Sequence, residues 1–262
     1  MEKGSSHTRQ KENARGVRLN SYLAQCGLGS RRKCEELIRS GAVAIDGKTT
    51  RELATQVLPD SQSVTVRGKS VRPGEKIYLL FHKPAGCVCT RVPGSKDKTI
   101  YDLLPPEFKN LFYVGRLDRD TEGLLFLTND GAWAERIAHP RNEVKKIYVA
   151  EILGRPDRRS LLRAVHGVRD EGEVLRAESI RLLDAKEDAR DAKPSHRDGQ
   201  VVEIVLREGK KREIRRLFRA LHHPVVFLKR LEIGGVKLGG LPAGKWRRLV
   251  EAEIAKFGSG SV

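Results

Sequence analysis

Apolar positions recur at helical spacing along Leu19, Tyr22, Leu23 and Cys26, which predicts a helix over residues 18–26 that Gly27 stops. Ser30 fits an N-cap for a second helix over 31–40, with Cys34, Leu37 and Ile38 on its buried side and Gly41 at its end. Residues 42–45 then read as a strand, Asp46-Gly47 as a tight turn, and 63–66 as another strand. This defines a compact module over 17–72, with Pro73-Gly74 marking the linker that follows. A strand over 77–81 opens a second, larger domain over 76–252. Short strands and helices alternate there without a regular βαβ period, so an α+β fold on a mixed, mostly antiparallel sheet fits better than a doubly wound parallel sheet. The segment 184–198 is crowded with mixed charge and reads as a solvated loop or disordered insertion. Residues 1–16 are expected to be a flexible basic tail and 253–262 a C-terminal tail.

Charge changes this picture. Across 262 residues, Lys+Arg number 51 and Asp+Glu 34, a formal net charge of +17. In a chain without a basic amphipathic helix, that excess points to a polyanionic partner bound through phosphates. Arg31, Arg32 and Lys33 fall on the first turn of the second helix, where cations oppose the helix dipole and an external phosphate would offset the cost. A second cluster comprises Arg207, Lys210, Lys211, Arg212, Arg216 and Arg219; it is too dense for one helix face, so part of it should be exposed to phosphates. No apolar run approaches the roughly 20 residues that span a bilayer, and the N-terminus lacks the apolar core of a secretory signal, so a cytoplasmic protein with no membrane association is expected.

The four cysteines do not form a disulfide framework at this length. Cys26 and Cys34 fall on apolar helix faces, and Cys87 and Cys89 are expected to share one face of a strand, so buried free thiols are the better reading than a zinc site. The histidines show no ligand spacing, and His222-His223-Pro224 fits the close of a helix.

The chemistry concentrates between Val114 and Gly131. Asp118 lies between Arg116 and Arg119, and Asp120 follows two positions later. A carboxylate among cations stays ionised and nucleophilic. Gly115 and Gly123 permit close backbone approach or unusual dihedrals. Leu124, Leu125, Phe126 and Leu127 form a continuous apolar run suited to a buried strand behind the site, and Asp130 reads as the cap of a helix ending at Ala138. Together with the basic surface, this indicates an enzyme acting on nucleic acid.

Two resemblances follow from these motifs. Arg18-Leu19-Asn20, Ser30-Arg31-Arg32 and the run from Gly41 to Gly47 resemble the small alpha-L RNA-binding module of a ribosomal small-subunit protein and of many RNA-modifying enzymes. Gly115-Arg116-Leu117-Asp118, with Thr121, Gly123 and Thr128-Asn129-Asp130-Gly131, resembles the signature of the RsuA/RluB family of ribosomal RNA pseudouridine synthases. His82-Lys83-Pro84-Ala85-Gly86, Lys146-Ile147-Tyr148, the run from Glu208 to Phe218 and the run from Gly239 to Arg247 match further family elements in order.

The resemblance implies an isomerase that detaches uracil from ribose, rotates it and reattaches it through carbon five, with no metal or redox cofactor. It makes Asp118 the catalytic aspartate, leaving Asp120 to the turn. Tyr148 would stack on the target uracil and help move a proton. Arg215 would pair with Asp118. Glu213 departs from the glutamine common in the family; it could pair with Arg212 or Arg216, or perturb the pocket. A uridine in structured RNA must leave its stack at a cost of a few kcal/mol; Arg116 could fill the vacated space or hold a phosphate, or else form a structural salt bridge. RNA contacts are expected from Arg31, Arg32, Lys33, Lys83, Arg116, Lys210, Lys211, Arg212 and Arg216. The implied partner is ribosomal RNA or a pre-ribosomal particle, large-subunit RNA ahead of small-subunit RNA, bound by a monomer. Two other readings are a non-catalytic RNA-binding or assembly factor that keeps the fold, and a metal-dependent nuclease using Asp118 and Asp120, which would need more clustered acids.

Overall fold

The computed structural model describes residues 16–91, 96–183 and 196–258. The expected N-terminal tail and most of the charged 184–198 segment lie outside them. The chain divides into two compact units, with the boundary between Lys76 and Ile77.

In the first unit, helices Leu19–Gln25 and Arg31–Arg39 pack over a small antiparallel sheet. Ser30 caps the second helix by accepting from the Lys33 amide at 3.3 Å. Cys34 and Ile38 are fully buried with Leu19 and Leu23, while Arg31, Arg32 and Lys33 are exposed. Strand Val43–Ile45 turns through Asp46 and Gly47, both at positive φ, into strand Lys48–Thr50, which the sequence pattern did not reveal.

The second unit is built on one mixed sheet. Its main path runs Ser179–Leu182, Gly199–Leu206, Lys146–Leu153, Val225–Ile233, Glu122–Thr128, Tyr78–Lys83, Trp246–Arg248. Neighbours along the path are antiparallel except Val225–Ile233 and Glu122–Thr128, which pair in parallel. This confirms the α+β expectation.

The central strands are buried on both faces, which explains their unbroken apolar runs. Leu125 and Leu127 face one core with Phe81, Ile100 and Phe108, whereas Leu124 and Phe126 face another with Trp133 and Ile137. Asp130 caps helix Gly131–Ala138 as expected, accepting from the amides of Ala132 and Trp133 at 3.0 and 3.1 Å.

Two expectations fail here. Residues 253–258 are not a tail. Helix Glu251–Ala255 and Phe257 close the second core: Phe257 is 8% exposed against Trp133 and Phe126, and the Trp133 indole donates to the Ile254 carbonyl. Cys87 and Cys89 lie on a loop beside an isolated bridge at Val88 rather than on a strand. The apolar alternation there reflects a loop that packs inward and makes only the single bridge of Val88, through the Lys98 carbonyl and the Ile100 amide.

Candidate active site

The segment between strands Phe112–Val114 and Glu122–Thr128 carries Asp118. Its conformation is set from both ends. Gly115 is left-handed, and the Thr121 amide donates to the Asp118 carbonyl at 3.2 Å, closing a turn over Arg119 and Asp120. Gly123 has φ +111, and a Cβ there would lie 2.3 Å from the Arg230 carbonyl oxygen, so glycine alone admits the parallel pairing. From beneath, the fully buried Lys83 ammonium donates to the carbonyls of Pro84, Arg119 and Thr121 at 3.0, 3.2 and 2.8 Å. Three backbone acceptors at one cation fix the loop while Asp118 itself stays about a third exposed.

Asp118 opens onto a cleft of about 520 Å³ whose walls include Arg116, Tyr148, Lys146, Arg212, Glu213 and Arg230. The sheet forms one wall. Lys146 and Tyr148 lie two apart on one strand and so share a face, and Arg230 stands directly opposite Tyr148 in register. The Arg230 guanidinium donates to the Leu124 carbonyl at 2.8 Å and to the Tyr148 hydroxyl at 3.4 Å. Tyr148 is 7% exposed and packs with Leu117, the residue before Asp118, and with Leu228.

The other wall is helix Glu213–Ala220 and the turn before it, with Arg212 held left-handed at the N-cap. The Arg212 guanidinium lies 3.8 Å from the Asp118 carboxylate. The expected ion pair between Arg215 and Asp118 does not form: Arg215 donates instead to the backbone carbonyls of Val225 and Asp120 at 3.0 and 3.1 Å, and burial lowers its pKa. Glu213 is buried and accepts from the Lys210 amide at 2.9 Å; desolvation raises its carboxyl to about 7. Burial, and then the charge of Arg230, lowers the Lys146 ammonium to about 8, with Glu213 acting in the opposite sense.

This arrangement agrees with what the chain is similar to. Residues 77–220 match the RNA pseudouridylate synthase family, and residues 17–63 match the S4 domain. The chain belongs to the RNA pseudouridylate synthase family. It is 39% identical to an uncharacterised RNA pseudouridine synthase of Aquifex aeolicus over 92% of this chain and 93% of that one. It is 35% identical to ribosomal large subunit pseudouridine synthase B of Bacillus subtilis over 92% and 95%. A solved pseudouridylate synthase superposes with a TM-score of 0.62 at 28% identity, covering 92% of this chain and 99% of that one. The synthase is therefore an RNA-modifying isomerase with an amino-terminal S4 unit, as the motifs implied.

Several residues expected to contact RNA are engaged by the synthase itself. Lys83 is sealed beneath the loop and cannot reach a phosphate. Arg216 is 8% exposed, held by Asp170 and Glu173, each at 2.6 Å, which takes it out of the RNA-facing set. Lys210 donates to the Val174 carbonyl at 2.7 Å and lies 2.8 Å from a Glu208 carboxylate oxygen, so it is partly committed. Lys211, Arg212 and Arg116 remain exposed. Glu213 pairs with neither Arg212 nor Arg216; of the alternatives, its place on the cleft wall is the one observed. Sequence reasoning missed Arg230 as a site residue, because only the strand register brings it beside Tyr148. It also missed Lys146 as a cleft residue, although its spacing from Tyr148 carried that signal. Among the described residues no three His, Cys, Asp or Glu side chains gather as metal ligands.

Proposed function

We propose that the synthase isomerises a uridine in ribosomal RNA, with Asp118 as the catalytic residue, Tyr148 against the target base and Arg215 as a positioning residue. The observation that carries this is the half-open placement of Asp118, rigidly held by its backbone yet facing a cleft lined by Tyr148. A flipped uracil needs an aromatic wall, a nearby carboxylate and shelter from water, and the cleft offers each. Large-subunit RNA is favoured, because the relative of that name aligns over nearly its full length. Arg212, at 3.8 Å, is the cation nearest the Asp118 carboxylate in this reading. Arg215, tied to the Asp120 carbonyl, acts by holding the loop. The S4 unit, with Arg31, Arg32 and Lys33 exposed, supplies phosphate contacts. The protein works in the cytoplasm as a monomer.

The test uses ribosomal RNA transcripts tritiated at carbon five of uridine. Wild-type protein is expected to release tritium from large-subunit transcripts. Asp118→Asn should release none while still binding RNA. Absence of release by the wild type from either subunit's RNA would overturn the assignment.

A further inference from the structure

Two polar atoms on the cleft wall lack a well-formed hydrogen bond, and the Glu208 carboxyl beside Glu213 adds to the upward push on its pKa. Glu213 Oε1 and Arg230 Nη2 are buried without a hydrogen-bond partner among the described residues. Both side chains belong to residues only 3% exposed, and both line the cleft that holds Asp118 and Tyr148. One is an acceptor, the other a donor. Lys146 is the third member: it shares Tyr148's face of the strand, its ammonium feels the charge of both Arg230 and Glu213, and it donates to the Val144 carbonyl at 2.9 Å. An ammonium has further protons to give. Buried polar atoms are nearly always paired, so unpaired ones beside a cleft mark the place of a ligand that supplies the missing partners.

The pairing edge of uracil is the complement of this set. It offers one N–H donor at N3 between two carbonyl acceptors, and the cleft wall carries one carboxylate acceptor and two cationic donors. We propose that Glu213, Lys146 and Arg230 read the pairing edge of the extruded uracil, Glu213 Oε1 accepting from N3–H while Lys146 and Arg230 donate to the flanking carbonyls. This rests on the synthase reading of the cleft and extends it to base selection.

The isomerisation itself adds a reason for such a grip. The bond from C1′ to N1 breaks and a bond from C1′ to C5 forms; C5 gives up its proton and N1 takes one. Between these events the base turns over about the axis through N3 and C6. That motion leaves N3–H in place and exchanges the two carbonyls. An acceptor on the axis with a donor on each side therefore binds the base equally well before and after the turn. Cytosine fails at two points, because its N3 is an acceptor facing a carboxylate and its amino group meets a cation.

The experiment begins from the uridine mapped by tritium release. Short RNAs carrying uridine or cytidine at that position are compared for affinity by competition, in an Asp118→Asn background so that nothing is consumed. The parent is expected to prefer uridine by about tenfold or more. Glu213→Gln, which keeps an acceptor for the Lys210 amide and so spares the turn, also gains an N–H that suits cytosine N3; it should cut the ratio several-fold, the remainder resting on the cation that meets the cytosine amino group. Lys146→Met should lower the ratio as well, with the thermal unfolding midpoint as the control for folding. A ratio unchanged in both variants would overturn the proposal while leaving the synthase reading intact. If the wild type releases no tritium from any ribosomal transcript, both fall together.

Discussion

The basic clusters of the two units look alike as strings of letters and differ in what their charges touch. Arg31, Arg32 and Lys33 stand on the first turn of a short helix with no acid in that turn, and all three are exposed. In the catalytic unit, Arg207 faces Glu178 at 2.7 Å, Arg216 faces Asp170 and Glu173, and Arg219 faces Asp170 and Glu171. The first cluster is unfavourable to its own helix and awaits an anion. Much of the second is structural, neutralised by Asp170, Glu171 and Glu173 of one hairpin and by Glu178 after it, all distant in sequence. Net charge alone therefore overstates how much of this surface is available to RNA.

The sharpest way to break the comparison is at the cation most removed from solvent. Lys83→Met is expected to destabilise the catalytic unit by about 3 kcal/mol, since three backbone carbonyls lose their donor. Denaturant unfolding measures it. A stability within a few tenths of a kcal/mol of wild type would return Lys83 to the surface set.

Next in size, Arg216→Ala should lower the thermal midpoint because Asp170 and Glu173 then repel across a small hairpin. The salt dependence of RNA binding should not change. The triple Arg31→Ala, Arg32→Ala, Lys33→Ala should do the reverse. Its unfolding midpoint should stay near that of the parent, while the slope of log K against log salt flattens by about 2 to 3, near one unit for each phosphate no longer neutralised. A triple variant with an unaltered slope would remove the distinction between the clusters.

The same contrast explains what could be read from the sequence. Features that depend on near neighbours were legible: the Ser30 and Asp130 caps and the Asp46-Gly47 turn. The apolar run from Leu124 to Leu127 announced a strand buried on both faces. The position of Asp118 came from a motif, and the cleft around it agrees with that motif. Features that depend on pairing between distant segments were not legible. Lys83 resembles any surface lysine until the loop above it is placed. Arg230 meets Tyr148 only through strand register, and Phe257 joins the core only after the helix of Trp133 is docked. Glu213 follows a left-handed Arg212, and that turn carries its carboxyl inward, away from the arginines beside it in sequence.

The smallest expected effect concerns two charges that line the cleft, the buried Glu213 and the half-buried Lys146. Burial raises Glu213 from 4.5 to about 7, so the folded state holds its proton more tightly than the unfolded chain. Stability from this group is complete below pH 4.5 and is lost as pH rises through about 7. Lys146 is depressed from 10.5 to about 8, so its contribution is present above pH 10.5 and is lost as pH falls through about 8. Between pH 7 and 8 both groups are ionised and desolvated, and their joint contribution to stability is at its lowest. Glu213→Gln should therefore gain on wild type as pH is raised from about 5 to about 7.5, with denaturant midpoints showing the difference widen across that window. Lys146→Met should show its gain shrinking between about pH 8 and 10. A Glu213→Gln difference that stays flat with pH would mean the carboxyl is solvated, and the wall it lines would then be no more desolvated than the exposed helix turn of the S4 unit.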